Sequence, residues 1–449
     1  MKVFLDTVGC RLNQSEIETF ARQFRAAGHD LVATPEQADL VVVNTCAVTA
    51  AAASDSRQKI RQASRAGVET ILATGCWATL EPEKAAQLPS VNRVFSNDAK
   101  EHLVADTLGV SAHLFEKQQI FDLQPIERQP LPGTRARTRA FIKVQDGCDN
   151  RCTFCITTIA RGRGQSYSIK RVLDDIQAAT GDERIQVETD TDTNAKEVVL
   201  SGVHLGSWGQ DFEPPQELKD LIQAVLDRTN VPRVRLSSLE PWDLADDFFD
   251  LWENPRLCRH LHLPLQSGCG STLRRMARKT TPDSFAQLME QIRTAVPEMA
   301  VTTDLIVGFP GETEEEFEAS LDFVRKMNFA GGHVFPYSAR PGTAAARMPK
   351  QVPHRIRKER SAKMRQVLSE AAEQHRKKYV GQRLEVLWES ATHIGRETWQ
   401  MTGISSNYLK ISGEAPASLW NQLCMVKITG ITEDGLSAEI ETNGSTQRE

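Results

Sequence analysis

Three cysteines within eight residues, Cys148, Cys152 and Cys155, are the part of this chain best suited to chemistry. They spell C-x3-C-x2-C on one loop, just after a run at 141–145 that reads as a short buried strand. Three thiolates so spaced can hold three corners of a 4Fe–4S cube and leave the fourth iron without a protein ligand. An open position on a metal is where its chemistry happens. A structural zinc site is the competing reading. It usually draws four ligands from two C-x2-C pairs, and this sequence has no second pair.

Cys10, Cys46 and Cys76 share no linear spacing, yet each lies at or just beyond the end of a strand-like run, at 3–8, 40–43 and 70–73. In an open α/β sheet the loops beyond the carboxyl ends of the strands line one crevice, so the three thiols are expected to converge on one edge. Gly9 and Gly75 directly precede two of them and allow tight turns close to a ligand. Three unrelated buried cysteines would be the plainer reading; their common placement favours a metal site. Cys258, Cys269 and Cys424 have no ligand spacing and read as small apolar residues. His262 alternates with His260 along a strand and reads as a packed histidine facing a barrel interior.

The elements that must position these residues follow from periodicity. Residues 1–110 alternate strands (2–8, 39–43, 69–73) with helices (13–27, 55–66), which predicts a parallel sheet sandwiched by helices. Residues 111–139 are rich in proline, glycine and arginine without period and read as a linker. From 140 to 378 the alternation resumes, with strands at 141–144, 198–201, 234–237, 260–265, 301–307 and 333–335 and helices at 218–228, 285–295 and 314–327. Six such units predict a partial or full β/α barrel, interrupted by a polar insertion at 181–196 and closed by a basic helix at 352–378. Residues 379–442 hold short β-type runs at 384–388, 397–404, 408–411 and 425–428, which suggest a small antiparallel barrel of the kind used to bind nucleic acid. Residues 442–449 read as disordered.

The chain has 449 residues, too many for one core, with 40% hydrophobic and 25% charged side chains, as expected of a globular enzyme. No apolar run approaches a membrane span and the first ten residues lack a secretory layout, so no membrane partner is expected. Nine cysteines without an export signal point to a reducing, cytoplasmic setting where thiols can bind metal. The net charge of −5 conceals a block at 340–383 with thirteen Lys or Arg against three Glu. That block reads either as an RNA-contacting strip or as a solvated helix face.

Taken together, C-x3-C-x-F-C resembles the radical S-adenosylmethionine superfamily. With Cys10, Cys46 and Cys76 in an amino-terminal α/β domain and a terminal β-barrel, residues 2–441 resemble the methylthiotransferases, whose last domain is the RNA-binding TRAM barrel. Gly403, Asn407, Tyr408, Gly435 and Leu436 are similar to the TRAM pattern. The resemblance implies two 4Fe–4S clusters, on Cys10, Cys46, Cys76 and on Cys148, Cys152, Cys155, together with S-adenosylmethionine on the open iron of the second set. It implies a radical attack on an unreactive adenine C2–H bond, which no tuned acid or base could deprotonate at neutral pH, and a low-potential electron donor and a sulfur donor as partners. Phe154 is expected near the cofactor adenine, Ser201 and Gly202 at its methionine end, Glu240 at its ribose, and Ile306 and Gly308 on an adenine-supporting turn. The runs at 8–14, 44–49 and 235–242 look most like the branch that modifies threonylcarbamoyladenosine beside the tRNA anticodon. Isopentenyladenosine tRNA, a ribosomal-protein aspartate, and a non-catalytic metal-stabilised RNA-binding protein are the alternatives. For RNA, Arg161 and Arg163 are expected near the charged substrate side chain; Trp388, Trp399 and Tyr408, with Lys410, are the candidates on the terminal barrel, where packing into the barrel core is the plainer reading of the three rings. One departure stands out: Ile156-Thr157-Thr158 replaces the family's Ile-x-Pro.

Overall fold

A computed structural model describes residues 1–112, 115, 138–181, 194–395 and 398–440. Most of the expected 111–139 linker, most of the 181–196 insertion and the carboxyl-terminal tail lie outside the described residues. Among those described, strands β1 (Lys2–Thr7), β2 (Asp30–Leu31), β3 (Leu40–Thr45), β4 (Ile71–Gly75) and β5 (Val91–Val94) form one sheet in the order β2-β1-β3-β4-β5, all parallel. β3 is buried at every position, as a strand covered on both faces must be. Helix α1 (Arg11–Ala26) buries Ile17, Phe20, Ala21 and Phe24 on its sheet side, and α2 (Ala50–Arg65) begins at a Thr49 cap. Short helices α3 (Cys76–Leu80), α4 (Pro82–Ala86) and α5 (Leu103–Leu108) complete this unit.

Strand β6 (Arg139–Lys143) opens the second unit and packs along α1. A two-residue pair, β7 (Gln145–Asp146) and β8 (Gln165–Ser166), brackets helix α6 (Thr157–Arg161), and α7 (Ile169–Thr180) follows. Then come β9 (Glu197–Ser201), α8 (Leu218–Arg228), β10 (Arg233–Leu236), β11 (His260–His262), α9 (Gly270–Arg275), α10 (Pro282–Ala295), β12 (Ala300–Val307), α11 (Glu314–Met327) and β13 (Gly331–Pro336). Parallel pairing runs β6-β9-β10 and β11-β12-β13, and a parallel Ser238–His262 bridge joins the halves into an open six-stranded barrel. Ala140, Ile142, Val198, Leu200, Val234, Leu236, Leu261 and Val301 alternate outward into one core under the helices. The intervening residues of each strand therefore face the barrel interior.

Helix α12 (His354–Lys377) packs on β13 and leads to β14 (Arg383–His393), β15 (Trp399–Ser405), β16 (Lys410–Ala415), β17 (Leu423–Ile431) and β18 (Leu436–Ile440), a closed barrel in the order β14-β15-β16-β18-β17. Closure uses β18, which the sequence reading did not separate, and the β16–β18 pair is parallel rather than antiparallel.

The terminal barrel docks through buried charge. Arg233 donates to the Ile404 carbonyl at 3.0 Å and Arg235 to the Ser405 and Ser406 carbonyls at 3.1 and 2.9 Å. Glu197 holds both guanidiniums; burial works to raise its pKa, but the arginines outweigh it and bring it down to about 2. Tyr408 stacks on His260 with centroids 4.3 Å apart, and Arg11 donates to its hydroxyl at 2.9 Å, so all three units meet at this ring. Burial, then the nearby Arg235, His262, Arg11 and Arg139, keep His260 well below the usual histidine pKa of 6.5. A folded-state pKa depressed in this way means the unfolded chain binds more protons. The stability gained is complete above about pH 6.5 and is lost as pH falls below it, at up to about 1.4 kcal/mol per pH unit. His260→Phe, which keeps a ring and cannot protonate, is expected to flatten the fall in thermal unfolding midpoint between pH 7 and pH 5. An unchanged slope would refute the assignment.

Candidate active site

Cys10 caps α1 directly after β1 and Gly9, Cys46 directly follows β3, and Cys76 opens α3 directly after β4. These strands are neighbours in the sheet, so the three thiols stand at one edge. Gly9 has φ 101°, and a Cβ there would lie 2.5 Å from Cys46 Sγ, so only glycine lets the two segments approach. Asn13 ties the strand ends together, its Nδ2 donating to the Val8 and Thr45 carbonyls at 2.8 and 3.1 Å. Burial pushes the Cys10 thiol up and carries Cys46 to about 11. Thiols so placed stay protonated unless a cation takes them.

The second set sits on the loop after β6, where barrel active sites are built. Thr153 donates to the Met276 carbonyl and accepts from the Ala345 N–H, at 3.0 and 2.9 Å, which laces the loop to far strands of the barrel. Phe154 packs edge-on to Phe309 at 6.4 Å, in a cluster with Ile306, Met276 and Tyr337. Gly308 has φ 69° and leaves room for the Arg357 stem; its N–H donates to Glu312 at 2.6 Å. Gly202 N–H faces Ser237 Oγ at 3.4 Å, while Ser201 Oγ turns back to the Val199 carbonyl. Glu240 is gripped by both Nη atoms of Arg278, whose guanidinium lies 4.5 Å from the Trp242 ring.

Each of the six sulfurs has an N–H aimed at it. Asn13 and Val48 backbone groups serve Cys10 and Cys46, and Asn97 Nδ2 reaches Cys76 Sγ at 3.7 Å. Asn150 and Thr157 backbone groups reach Cys148 and Cys155 at 3.4 Å, and Arg278 reaches Cys152 at 3.8 Å. All nine cysteines are free thiols. Sulfur ligands with directed N–H donors suit iron–sulfur clusters, whose potential such donors tune. Among the described residues no three His, Cys, Asp or Glu side chains converge tightly enough for a single metal ion. A cube differs from such a site in taking one thiolate on each of three irons.

Helix α6 joins the two sets. It begins two residues after Cys155, and Ala160 packs in one cluster with Cys76, Trp77 and Ala78. Asn97 Nδ2 donates to the Ala160 carbonyl at 2.7 Å as well as reaching Cys76. Arg161 Nη2 donates to Asn13 Oδ1 at 2.8 Å, three residues from Cys10. From β13's side, Arg340 donates to the Val48 carbonyl at 3.1 Å, two residues after Cys46.

Several side chains expected to touch RNA are committed elsewhere. Arg161 is 2% exposed and paired with Glu16 and Asp146, which removes it from direct substrate contact. Trp388 is wholly buried in the terminal barrel core, and Tyr408 is covered by His260, so neither ring is a free stacking surface. Trp399 is half-buried against His393. Arg163 and Lys410 are exposed, Lys410 facing Asp434 at 3.5 Å. Part of the basic block is already paired: Arg360 is buried on Glu312 and Glu314, and the half-exposed Lys363 and Lys377 pair with Glu318 and Glu373.

Sequence reasoning missed His204 and Asp243. They bond at 2.7 Å beside the cluster loop, with His204 Nδ1 3.3 Å from Asn150 Nδ2. Burial opposes protonation of His204, but the bond to Asp243, then Cys148, carries it up to about 10.

Comparison with known proteins agrees with this layout. Residues 2–96 match the family described as "Uncharacterized protein family UPF0004", and residues 142–324 match the radical SAM superfamily. The threonylcarbamoyladenosine tRNA methylthiotransferase MtaB of Bacillus subtilis (strain 168) is 33% identical over 95% of this chain and 93% of its own. The tRNA-2-methylthio-N(6)-dimethylallyladenosine synthase of Acidothermus cellulolyticus is 35% identical over 88% of this chain and 79% of its own. The radical S-adenosylmethionine methyltransferase TsrM of Kitasatospora setae, at 15% identity, matches 77% of this chain and 75% of that one with a TM-score of 0.55, a likeness of fold.

Proposed function

The chain belongs to the radical S-adenosylmethionine tRNA methylthiotransferases, and on that footing we propose that it methylthiolates C2 of N6-threonylcarbamoyladenosine 3′ of the anticodon. Cys148, Cys152 and Cys155 would hold one 4Fe–4S cluster and Cys10, Cys46 and Cys76 a second. With two molecules of S-adenosylmethionine, these groups supply a carbon radical able to break an unactivated C–H bond and a methylated sulfur to replace the hydrogen. The observation that carries the reading is the joining of both cysteine sets through one short helix, in a chain similar to a threonylcarbamoyladenosine enzyme along nearly its whole length.

The chain's own residues position the reactants and exclude water. Phe154, Phe309, Ile306 and Tyr337 form an apolar wall beside Cys155. Val48 and Ile159, each about half exposed, offer apolar surface next to Cys46 and Cys155. With Arg161 committed internally, exposed Arg163 and half-buried Arg340 remain to meet the carboxylate of the threonylcarbamoyl group. The setting is expected to be cytoplasmic; no helix among the described residues is long and apolar enough to cross a membrane.

Similarity to a dimethylallyladenosine synthase supports a second reading, in which the isopentenyl nucleoside is the substrate. Mass analysis of tRNA nucleosides from cells with and without the protein separates the two. Loss of the methylthio mark from threonylcarbamoyladenosine alone is expected. Loss from the isopentenyl nucleoside alone would overturn the substrate assignment, and unchanged tRNA would overturn both readings.

A further inference from the structure

Glu16 of α1, Lys100, Lys143 of β6, Asp146 and Arg161 of α6 form one ion network at the seam between the first two units. Glu16 meets Lys100 at 2.7 Å, Arg161 at 3.0 Å and Lys143 at 3.5 Å, while Asp146 meets Arg161 at 2.8 Å and Lys143 at 3.1 Å. Glu16, Lys100 and Arg161 are each about 3% exposed or less. Three cations thus share two carboxylates largely out of water, Lys143 and Asp146 being 12% and 19% exposed, an arrangement that is costly unless the surplus charge has a partner. Glu101, the next carboxylate along, is taken by Arg171 and the Tyr167 hydroxyl. The surplus faces the amino-terminal cysteines. Arg161 bonds Asn13 Oδ1, which is itself 3.7 Å from Cys10 Sγ, and the neighbouring Ala160 carbonyl accepts from the Asn97 amide that reaches Cys76 Sγ.

We propose that this network is the built-in counter-charge of whatever anionic centre Cys10, Cys46 and Cys76 hold, with Lys100 and Asp146 setting the size of the surplus and so the centre's reduction potential. A thiolate-ligated iron–sulfur cluster gains one negative charge on reduction, and a buried positive surplus favours that state. The inference rests on the two-cluster reading.

The test uses the full chain with Cys148, Cys152 and Cys155 replaced by alanine, reconstituted with iron and sulfide without oxygen, and a redox titration of the remaining centre. Lys100→Met, which cancels the surplus, is expected to move the midpoint downward; Asp146→Asn, which enlarges it, is expected to move it upward. Opposite shifts are the signature, because a merely structural role has no reason to depend on the sign of the charge removed. Midpoints that stay put, or move in the same direction, overturn the proposal. Should Lys100→Met fail to fold, the near-isosteric Asp146→Asn decides alone, an upward shift supporting the proposal and none overturning it. If the triple-alanine chain retains its fold by circular dichroism yet binds no iron with the network intact, the two-cluster reading fails instead.

Discussion

Cys152→Ala is expected to abolish deoxyadenosine formation from S-adenosylmethionine and to lower bound iron from about eight per chain to about four, one cubane's worth. The physical basis is local. Cys152 is the middle ligand of a loop pinned at Thr153 to Met276 and Ala345, so no neighbouring thiol can slide into its place. Arg278, which reaches its sulfur, is already committed to Glu240 and the Pro264 carbonyl. The substitution removes only a sulfur atom from a half-buried position, and the barrel core beneath it contains none of the three cysteines. Anaerobic iron analysis and chromatography of the nucleoside product check it. Undiminished deoxyadenosine from the variant would remove this loop from the chemistry.

What the sequence made legible was whatever repeats or sits at a strand end. All six barrel strands were placed by runs that carry an apolar residue at about every second position, because one face of each strand packs under the helices, and both cysteine sets lie just after such runs. Side-chain direction was harder. Trp388 lies two positions after Val386 on β14, and the strand period puts both on the core face; that signal was available and outweighs the general fondness of RNA sites for aromatics. Glu16 carried a similar signal, falling on the buried face of α1 with Ile17 and Phe20, where a charge requires partners. The partners themselves were invisible. Arg161 is 145 residues from Glu16, and His204 is 39 residues from Asp243, so no local pattern connects them. Arg161, expected near the substrate, is bound instead to Glu16 and Asp146, carboxylates that only the fold brings near.

The terminal barrel shows the same thing at a larger scale. Its attachment depends on Arg233 and Arg235, inward residues of a barrel strand, donating to the carbonyls of residues 404–406. Tyr408 adds a ring that touches both other units. The terminal barrel is thus tied both to β10 and, through Tyr408 and Arg11, the residue after Cys10, to helix α1.

Cys46→Ala is expected to separate the two halves of the reaction, with deoxyadenosine still formed and methylthio transfer lost to background. Cys46 directly follows β3, the central strand of the amino-terminal sheet, and is 3% exposed, with its sulfur against Gly9 and its backbone N–H held by Ser56 at 2.9 Å. Losing the sulfur opens a space no larger than one atom and leaves β3, its burial and its hydrogen bonds in place, so the cost in stability is about 1–2 kcal/mol at most. Among the described residues no hydrogen bond joins Cys46 to the barrel loop that carries Cys148, Cys152 and Cys155. Contact between the sets runs through Asn13, Asn97 and Arg161, none of which bonds Cys46 Sγ. Radical generation should therefore survive while the site that would supply sulfur is left with two thiols. Product analysis on tRNA bearing threonylcarbamoyladenosine, with deoxyadenosine measured in the same reaction, distinguishes this uncoupling from general collapse, in which both products vanish together. Methylthio product at the unchanged rate would mean that the sulfur comes from somewhere other than the edge where β1, β3 and β4 end.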